Sequence, residues 1–197
     1  MDQSKYERIK AAYGRFSSWA IWGDFKVNNI GETLIQSSID TLHANYIIIG
    51  FNASQNLTGN WMNFHMPHQG GRDTWLAELF NQNPYRGAYM TDLIKIEEND
   101  GSLNFEKSGE IERRFFQPEN NSDLIKSRIQ KKKLAEEMAL LGANERTIFI
   151  LIGDLVARYF DCLTDFKYES KYRLPHYAGR FAKKEWLRRC REILSED

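Results

Sequence analysis

The chain of 197 residues is 42% hydrophobic and 27% charged, an ordinary composition for a soluble globular protein, and its length fits a single domain over residues 1–197. Its 27 basic and 27 acidic residues cancel, so no overall positive field indicates a nucleic-acid-binding protein, and any basic surface must be local. No apolar run is long enough to span a bilayer, and the two cysteines lack the paired spacing of a cysteine-based metal site. We therefore expect a cytoplasmic protein in a reducing compartment.

The N-terminal part of the chain is predicted to be helical. Apolar and aromatic residues recur at helical spacing over residues 4–22 and again over residues 31–42. Residues 46–49 then form an unbroken apolar run, Tyr-Ile-Ile-Ile, that ends at Gly50. So short a run of mainly β-branched residues predicts a strand that is buried on both faces, as in a parallel sheet covered by helices.

Small polar residues follow this predicted strand. Asn52 and Ser54 come just after Gly50, where a central strand would reach its carboxyl end. Open α/β sheets bind their ligands at this edge. The glycine lets the backbone approach a ligand closely, and the two polar side chains offer hydrogen bonds to it.

The remaining pattern alternates helices and strands. Asp73 is placed to cap one helix, and Ser122 to cap another that runs to about residue 141. The polar stretch over about 97–121 is predicted to be an insertion or a partly mobile loop. Strands are predicted over residues 87–94, 147–153 and 172–176, with helices over residues 154–160 and from residue 179 onward. Together these elements predict a three-layer α/β/α fold with a central, mainly parallel four-stranded sheet.

Three segments together resemble the uracil-DNA glycosylase superfamily, over about residues 45–190. Gly-Phe-Asn-Ala-Ser at 50–54 is similar to the water-activating motif of that family, in which a strand leads into Gly-x-Asn/Asp-Pro. The form with Asn belongs to its mismatch-specific and single-strand-selective branches. Leu-Ile-Gly-Asp-Leu-Val-Ala-Arg at 151–158 resembles the family's apolar strand, glycine and helix. His-Tyr-Ala-Gly-Arg at 176–180 resembles its closing His-Pro motif.

The sequence departs from the family pattern at three positions. Ala53 and Tyr177 stand where the family has prolines. Asp92 stands where the family's strand usually presents an asparagine to the base. These departures bear directly on the specificity for uracil.

The resemblance implies hydrolysis of an N-glycosidic bond, which needs a positioned water, stabilisation of the departing base and a pocket for a base outside the stack. Asn52 would hold the water, although a carboxamide is barely basic. His176 would donate a hydrogen bond to the departing base, for example at O2 of a pyrimidine. The alternatives are turn chemistry for Asn52 and a structural hydrogen bond to a backbone carbonyl for His176.

Asp92 predicts a different base from that of the parent family. An asparagine offers both a donor and an acceptor to a base, whereas a carboxylate only accepts. A carboxylate favours a base edge that carries donors, such as the amino group of cytosine or adenine, or N1–H of hypoxanthine. We therefore expect that the bound base is not plain uracil. The alternative is that Asp92 caps the next segment.

Several aromatic and small residues are candidates for contacting the base. Phe64 lies twelve positions after Asn52, close to where the family places a stacking ring, and Phe51 and Trp61 are alternatives. Gly50, Ala53 and Ser54 complete this predicted set, to which Asp92 also belongs. Core packing is the alternative interpretation of all three aromatic residues.

Basic residues near the C-terminus are candidates for contacting DNA. Arg180 lies four residues after His176, where the family places the residue that fills the gap left by a flipped base. Lys183 and Lys184 follow on the predicted terminal helix and could meet phosphates. The alternative is an exposed basic helix face.

The sequence leaves three functions open. The first is a monofunctional DNA base-excision glycosylase, since no lysine nucleophile stands in the motifs; it would act on single- or double-stranded DNA as a monomer, without a cofactor, a metal or a membrane. The second is a non-catalytic protein that binds a nucleobase or nucleic acid on the same fold. The third is a small-molecule enzyme on a different doubly wound fold. His65 and His68 have no carboxylate or cysteine nearby in sequence, so they do not support a metal site.

Overall fold

A computed structural model describes residues 1–23, 31–53, 59–65, 72–95, 107–117 and 121–195. Within these residues the chain forms seven α-helices, one 3-10 turn and five strands. In chain order they are α1 (Gln3–Tyr13), β1 (Ser18–Trp19), α2 (Glu32–Gln36), the 3-10 turn (Ile39–Thr41), β2 (His43–Asn52), α3 (Asp73–Phe80), β3 (Ala88–Ile94), α4 (Ser108–Phe116), α5 (Asn121–Leu141), β4 (Ile148–Ile152), α6 (Asp154–Leu163), β5 (Ser170–Leu174) and α7 (Lys183–Leu194).

The strands form one sheet in the order β1-β3-β2-β4-β5. Strand β2 runs parallel to both of its neighbours, β3 and β4, and β5 runs parallel to β4. Only the short β1 is antiparallel, and it pairs with β3. The predicted three-layer α/β/α fold with a mainly parallel sheet is therefore confirmed, with five strands in place of the expected four.

The additional strand lies where the sequence predicts helix. Helix α1 ends at Tyr13, and Ser18–Trp19 continues as an edge strand. The ring of Trp19 packs between Trp61, at 5.9 Å, and Tyr89, at 4.8 Å. The spacing of aromatic residues matches that of a helix here. The extended conformation of Ser18–Trp19 is instead stabilised by contacts of Trp19 with rings that are distant in sequence.

The core is divided by the sheet into two halves. On one face Ile47 and Ile49 of β2 pack with residues of α1, α5 and α6. On the other face Ile48 packs with residues of α3 and α7. All three isoleucines are fully buried, so both faces of β2 are covered, as the apolar run predicts.

Three further differences concern helix positions. The helix predicted over 31–42 is a short α2 followed by a 3-10 turn. Asp73 is the first residue of α3, and the N-cap is Arg72. The predicted insertion at about 97–121 contains α4, whose buried Ile111 and Phe115 anchor it to the core at a helical spacing of four. Residues 97–106 and 118–120 of that stretch lie outside the described residues.

A buried ion pair joins α5 to the end of β3. Nζ of Lys95 lies 2.7 Å from Oε2 of Glu137, and both side chains are at most 2% exposed. The other carboxylate oxygen, Oε1, accepts hydrogen bonds from the hydroxyls of Tyr89, at 2.8 Å, and Thr91, at 2.9 Å. A buried charge requires such partners, so these contacts fix the position of the helix against the strand.

Helix α5 also closes the hydrogen-bonding edge at the end of β3. The side-chain amide of Gln130 accepts from the backbone N–H of Lys95 and donates to its carbonyl, both at 2.9 Å. One side chain thus satisfies both backbone groups of the residue that follows the strand. Among the described helices, none combines the length and the apolar character needed to cross a bilayer.

Replacing Lys95 with Met should destabilise the protein strongly. The substitution leaves the Glu137 carboxylate buried without its cation, and removal of one partner of a buried pair costs about 3–5 kcal/mol in free energy of unfolding. The matched control is Lys132→Met, because Lys132 pairs with Glu136 on the same helix while 78% of its side chain is exposed. We expect a loss below about 1 kcal/mol for the control in urea denaturation. Equal losses for the two variants would contradict the structural role of the buried pair.

Candidate functional site

The candidate site lies at the carboxyl edge of the sheet. The chain leaves β2 toward β3 on one side and leaves β4 toward β5 on the other, so a crevice forms between the ends of β2 and β4. Asn52 ends β2, Gly153 follows β4, and His176 follows β5 by two residues. Gly153 has a φ of 100°, a left-handed conformation that favours glycine, and a Cβ there would lie 3.2 Å from Cδ2 of His176.

Three of the predicted base-contacting residues lie together. A Cβ added to Gly50 would clash with Oδ1 of Asp92 and would lie 3.0 Å from Cζ of Phe64. Gly50 and Asp92 are register partners on β2 and β3. Phe64 adopts a left-handed backbone conformation with a φ of 64°, which is uncommon for a bulky residue and costs about 1–2 kcal/mol. Such strain is typical of functional loops, and here it places the ring against Gly50.

Asp92 is a buried strand residue rather than a helix cap. It lies inside β3 and is only 3% exposed. Its Oδ2 accepts a hydrogen bond of 2.7 Å from Nδ2 of Asn63. Burial raises the pKa of Asp92 to about 7, and the bond from Asn63 opposes this shift only in part. The alternative that Asp92 caps the following segment is therefore wrong.

Asn52 is half-buried, and its carboxamide has partners on two sides. Nδ2 donates to the carbonyl of Ala53 at 2.9 Å, and Oδ1 accepts from the hydroxyl of Ser108 at 2.7 Å. The bond to Ala53 is the local turn chemistry that the sequence left open. An amide oxygen has two lone pairs, so Oδ1 can also accept from a water molecule.

The contacts of His176 define which nitrogen carries the proton. Nδ1 accepts a hydrogen bond of 3.0 Å from the backbone N–H of Ala178. Loss of solvation around the ring, and secondly the Arg72 guanidinium, lower the pKa of His176, although the residue is partly open to solvent. The imidazole is therefore neutral at pH 7, with its proton on Nε2, which is a hydrogen-bond donor. The ring of Tyr177 stacks on it at 4.7 Å.

The loop that carries His176 is held from two helices. Nη1 of Arg72 donates to the carbonyls of Tyr177, at 2.8 Å, and Gly179, at 2.7 Å, while its guanidinium lies 4.8 Å from the ring centre of Trp75. Nε1 of Trp186 on α7 donates to the carbonyl of Pro175 at 2.8 Å. These bonds tie the backbone on both sides of the imidazole, which fixes the direction of its Nε2–H group.

Asn52 and His176 face the same edge but do not follow adjacent strands. Strand β4 lies between β2 and β5, so the two residues follow strands that are not neighbours in the sheet. Two inter-strand spacings separate the strand ends by about 10 Å. Gly153 lies in the gap and has no side chain to fill it.

The remaining predicted base contacts are placed differently. Phe51 is 7% exposed and belongs to the core on the α5 face, with its ring 6.2 Å from that of Phe116 and 6.4 Å from that of Tyr159. Its side chain therefore points away from Gly50 and packs in the core, as the alternative interpretation expects. Ala53 follows β2 and offers its carbonyl to Asn52. Ser54 lies outside the described residues.

The basic surface near His176 is partly neutralised. Helix α7 carries five basic and two acidic residues. Lys183 pairs with Glu78 at 2.8 Å, and Arg188 and Arg189 both pair with Glu185. Arg180 and Lys184 are exposed, and neither has an ion-pair partner among the described residues. Because surface ion pairs contribute at most about 1 kcal/mol each, phosphates could compete for the paired cations as well.

The two histidines His65 and His68 give no metal site in the part of the chain that the structure describes. His65 is buried, and its Nε2 lies 3.0 Å from the carbonyl of Trp19, while burial lowers its pKa to about 4. His68 lies outside the described residues. Across the described part of the chain, no cluster of three or more His, Cys, Asp or Glu side chains is arranged to hold a metal ion.

Sequence reasoning missed the residues that support the site. Arg72 and Asn63 lie in or beside a polar segment with no motif around them, and Ser108 lies in the predicted insertion. Folding brings each of them to a distant partner: Asn63 contacts Asp92, 29 positions away, and Ser108 contacts Asn52, 56 positions away. Arg72 contacts Tyr177, 105 positions away. The left-handed conformation of Phe64 could not be predicted either, since the sequence favours Gly or Asn at such positions.

Gly50→Ala should disturb the cluster formed by Gly50, Phe64 and Asp92. The added methyl group meets Asp92 Oδ1 and the Phe64 ring, so we expect the free energy of unfolding to fall by roughly 1–3 kcal/mol. Gly109→Ala is the matched control, because a Cβ there meets nothing within 4 Å and the residue lies in α4. Urea denaturation of both variants checks this expectation. A neutral Gly50→Ala variant would contradict the close approach.

Arg72→Met should raise the pKa of His176. The guanidinium contributes to the lowered pKa of the imidazole, so its loss makes protonation easier and moves the titration to higher pH. NMR titration of the ring protons measures the shift. Arg180→Met is the control, since it removes an exposed cation from the same loop. An equal shift in both variants would contradict a specific effect of Arg72.

Comparisons with known proteins do not assign a family to this arrangement. No protein-family model matches the chain, and no curated protein matches it. The resemblance to the uracil-DNA glycosylase superfamily therefore depends on the three sequence motifs. The geometry at the carboxyl edge of the sheet is the physical basis on which a function can be argued.

Proposed function

We propose that the protein hydrolyses the N-glycosidic bond of a damaged or deaminated base in DNA, after the base has rotated out of the stack into the crevice at the carboxyl edge. Water adds to C1′, the electron pair of the glycosidic bond leaves with the base, and the proton of the water ends on the released base. The observation that carries this proposal is the oriented, neutral imidazole of His176, whose Cβ and Cδ2 atoms lie close to Gly153 and whose Nδ1 is held by the amide of Ala178.

His176 supplies the stabilisation of the departing base. A pyrimidine that leaves with the bonding electrons carries negative charge on O2, and a fixed N–H donor stabilises that charge. The donor needs no reorganisation, because Ala178 holds the other nitrogen of the ring and Arg72 holds the loop. Removal of one such donor costs on the order of 3 kcal/mol in other enzymes, or roughly 100-fold in rate.

Asn52 positions the water rather than removing its proton. Its carboxamide is too weak a base to accept a proton, so its contribution is orientation. Ser108 donates to Oδ1 at 2.7 Å and thereby fixes the orientation of the amide. Catalysis then depends mainly on placement and on the stability of the leaving group.

The cluster formed by Gly50, Phe64 and Asp92 would receive the base. Gly50 leaves room for the Asp92 carboxyl group and the Phe64 ring to lie close to the strand. The Phe64 ring would offer a stacking surface worth about 1–3 kcal/mol, and Asp92 would offer polar atoms to the edge of the base. The exposed cations Arg180 and Lys184, with Lys183 beside them, would contact the phosphates of the DNA.

A second candidate is a protein that binds a nucleobase without cleaving the bond. The engagement of the Asn52 carboxamide by Ala53 and Ser108 favours it, because an amide that is already bonded on both sides has less capacity for a water. The same pocket would then recognise a base, and the basic surface would hold the strand.

The direct experiment measures alkali-induced strand breakage of matched oligonucleotides, single- and double-stranded, that carry uracil, hypoxanthine or xanthine. We expect breakage by the native protein, a loss of about 100-fold in single-turnover rate for His176→Ala, and a comparable or smaller loss for Asn52→Ala. Lys132→Met serves as the control, since that side chain is exposed on α5 and pairs with Glu136 of the same helix.

The outcomes separate the candidates. Salt-sensitive binding without breakage would favour the non-catalytic protein. Neither binding nor breakage would remove both candidates and leave a small-molecule enzyme that uses the same edge. Breakage that survives His176→Ala unchanged would contradict the role assigned to the imidazole.

A further inference from the structure

We propose that Asp92 reads the base as a neutral carboxylic acid and thereby selects the carbonyl–N–H edge that deaminated bases share. This inference rests on the proposed function and names its substrate class. Uracil (O4 and N3–H), hypoxanthine (O6 and N1–H) and xanthine (O6 and N1–H) all present an acceptor beside a donor. Cytosine and adenine present an amino donor beside an unprotonated ring nitrogen, which is the opposite arrangement.

The surroundings of the carboxyl group favour its neutral form. Asp92 is 3% exposed, the Cα of Gly50 and the ring of Phe64 lie against it, and its one side-chain hydrogen-bond donor is the uncharged amide of Asn63. A carboxylate in such a place loses its solvation without gaining a cation. The resulting rise of the Asp92 pKa, to about 7, makes both forms accessible near neutral pH.

The charges around this group have other partners. The ammonium of Lys95 donates to the backbone carbonyl of Asp92 at 2.6 Å and pairs with Glu137, so it lowers the pKa of Asp92 less than a direct ion pair would. Glu137 acts in the opposite direction. From the loop after β5, the phenol of Tyr177 faces Asp92, and burial, with Asp73 and Asp92 nearby, raises the pKa of this phenol, so it is uncharged.

The contacts of Asn63 determine which oxygen carries the proton. Nδ2 of Asn63 donates both to the carbonyl of Phe16, at 2.8 Å, and to Oδ2 of Asp92, at 2.7 Å. Rotating the amide would place its oxygen against the Phe16 carbonyl, so its orientation is fixed. Oδ2 must therefore remain an acceptor, and the proton of the neutral acid belongs on Oδ1.

Oδ1 is the atom that faces Gly50. Among the described residues it has no hydrogen-bond partner. In the neutral acid, Oδ1–H is a donor and Oδ2 keeps a second lone pair, so Asp92 presents the same donor and acceptor as an asparagine. The expectation from the sequence, that a carboxylate requires a base edge with donors only, applies to the ionised form alone.

The two protonation states predict opposite responses to pH. For a pKa near 7, the neutral fraction of Asp92 falls about tenfold between pH 6 and pH 8. Excision of uracil and hypoxanthine should therefore fall about tenfold over this range. If the ionised carboxylate instead selected a base with an amino group, excision of that base would increase with pH. The lowered pKa of His176 means that its ring stays neutral over most of this range and does not produce the fall.

The experiment compares single-turnover rates at pH 6 and pH 8 on uracil and hypoxanthine oligonucleotides for the native protein, Asp92→Asn and Asp154→Asn. We expect the tenfold ratio in the native protein and in Asp154→Asn, whose carboxylate is exposed and pairs with Arg173. The ratio should fall to about one in Asp92→Asn, because a carboxamide keeps its donor at all pH values. In parallel, ¹³C-NMR of labelled aspartate should give an Asp92 carboxyl midpoint near pH 7, identified by its absence from Asp92→Asn.

Each result has one meaning. Two results would overturn this inference and leave the proposed function intact. The first is excision by Asp92→Asn with the same ratio of rates between pH 6 and pH 8 as the native protein, and the second is an Asp92 carboxyl group that is ionised at pH 6. If no oligonucleotide is cleaved, binding is measured instead of the rate, as the affinity for a uracil strand divided by the affinity for a cytosine strand. The inference then stands only if this affinity ratio is lower at pH 8 than at pH 6. Absence of both cleavage and selective binding would overturn the proposed function together with the inference.

Discussion

The burial of strand β2 on both faces is the constraint on which the arrangement depends. Because Ile47, Ile48 and Ile49 are inaccessible to solvent, no polar side chain can be placed along the middle of the strand without a large desolvation cost. The backbone groups are satisfied by β3 and β4. Polar side chains of this strand are therefore confined to its two ends, and Gly50 and Asn52 lie at the carboxyl end. The same applies to β4, whose apolar run ends at Gly153.

The sequence was sufficient to predict those parts of the fold that depend on local pattern. The apolar runs of β2 and β4 define buried strands, and the alternation of strands with helices defines a parallel layered fold. The sequence pattern was misleading at Trp19. The aromatic spacing there predicts a helix, but contacts with the rings of Trp61 and Tyr89 hold the residue in a strand. The sequence pattern also could not place α4, because its surroundings in sequence are polar.

The candidate site could be predicted only in outline. Asn52 and His176 were singled out because each ends or follows a recognisable strand, and Asp92 because the resemblance expects an asparagine at its position. Their chemical state was not accessible, since the pKa of Asp92 depends on Asn63 and on burial, and the tautomer of His176 depends on the amide of Ala178. Where the resemblance expects a proline after His176, the loop carries Tyr177 and is held instead by Arg72 through bonds that no motif reveals.

The two outer strands have a consequence for how the molecule behaves in a crowded solution. Strand β1 has only two residues, so it offers very little backbone to an incoming segment. At the opposite rim, β5 exposes Lys171 and Arg173, which are held by Asp161 and Asp154. Short edge strands and charged edge strands both disfavour the pairing of a strand from another chain with the sheet. A protein with so apolar a core is thereby protected from edge-to-edge aggregation.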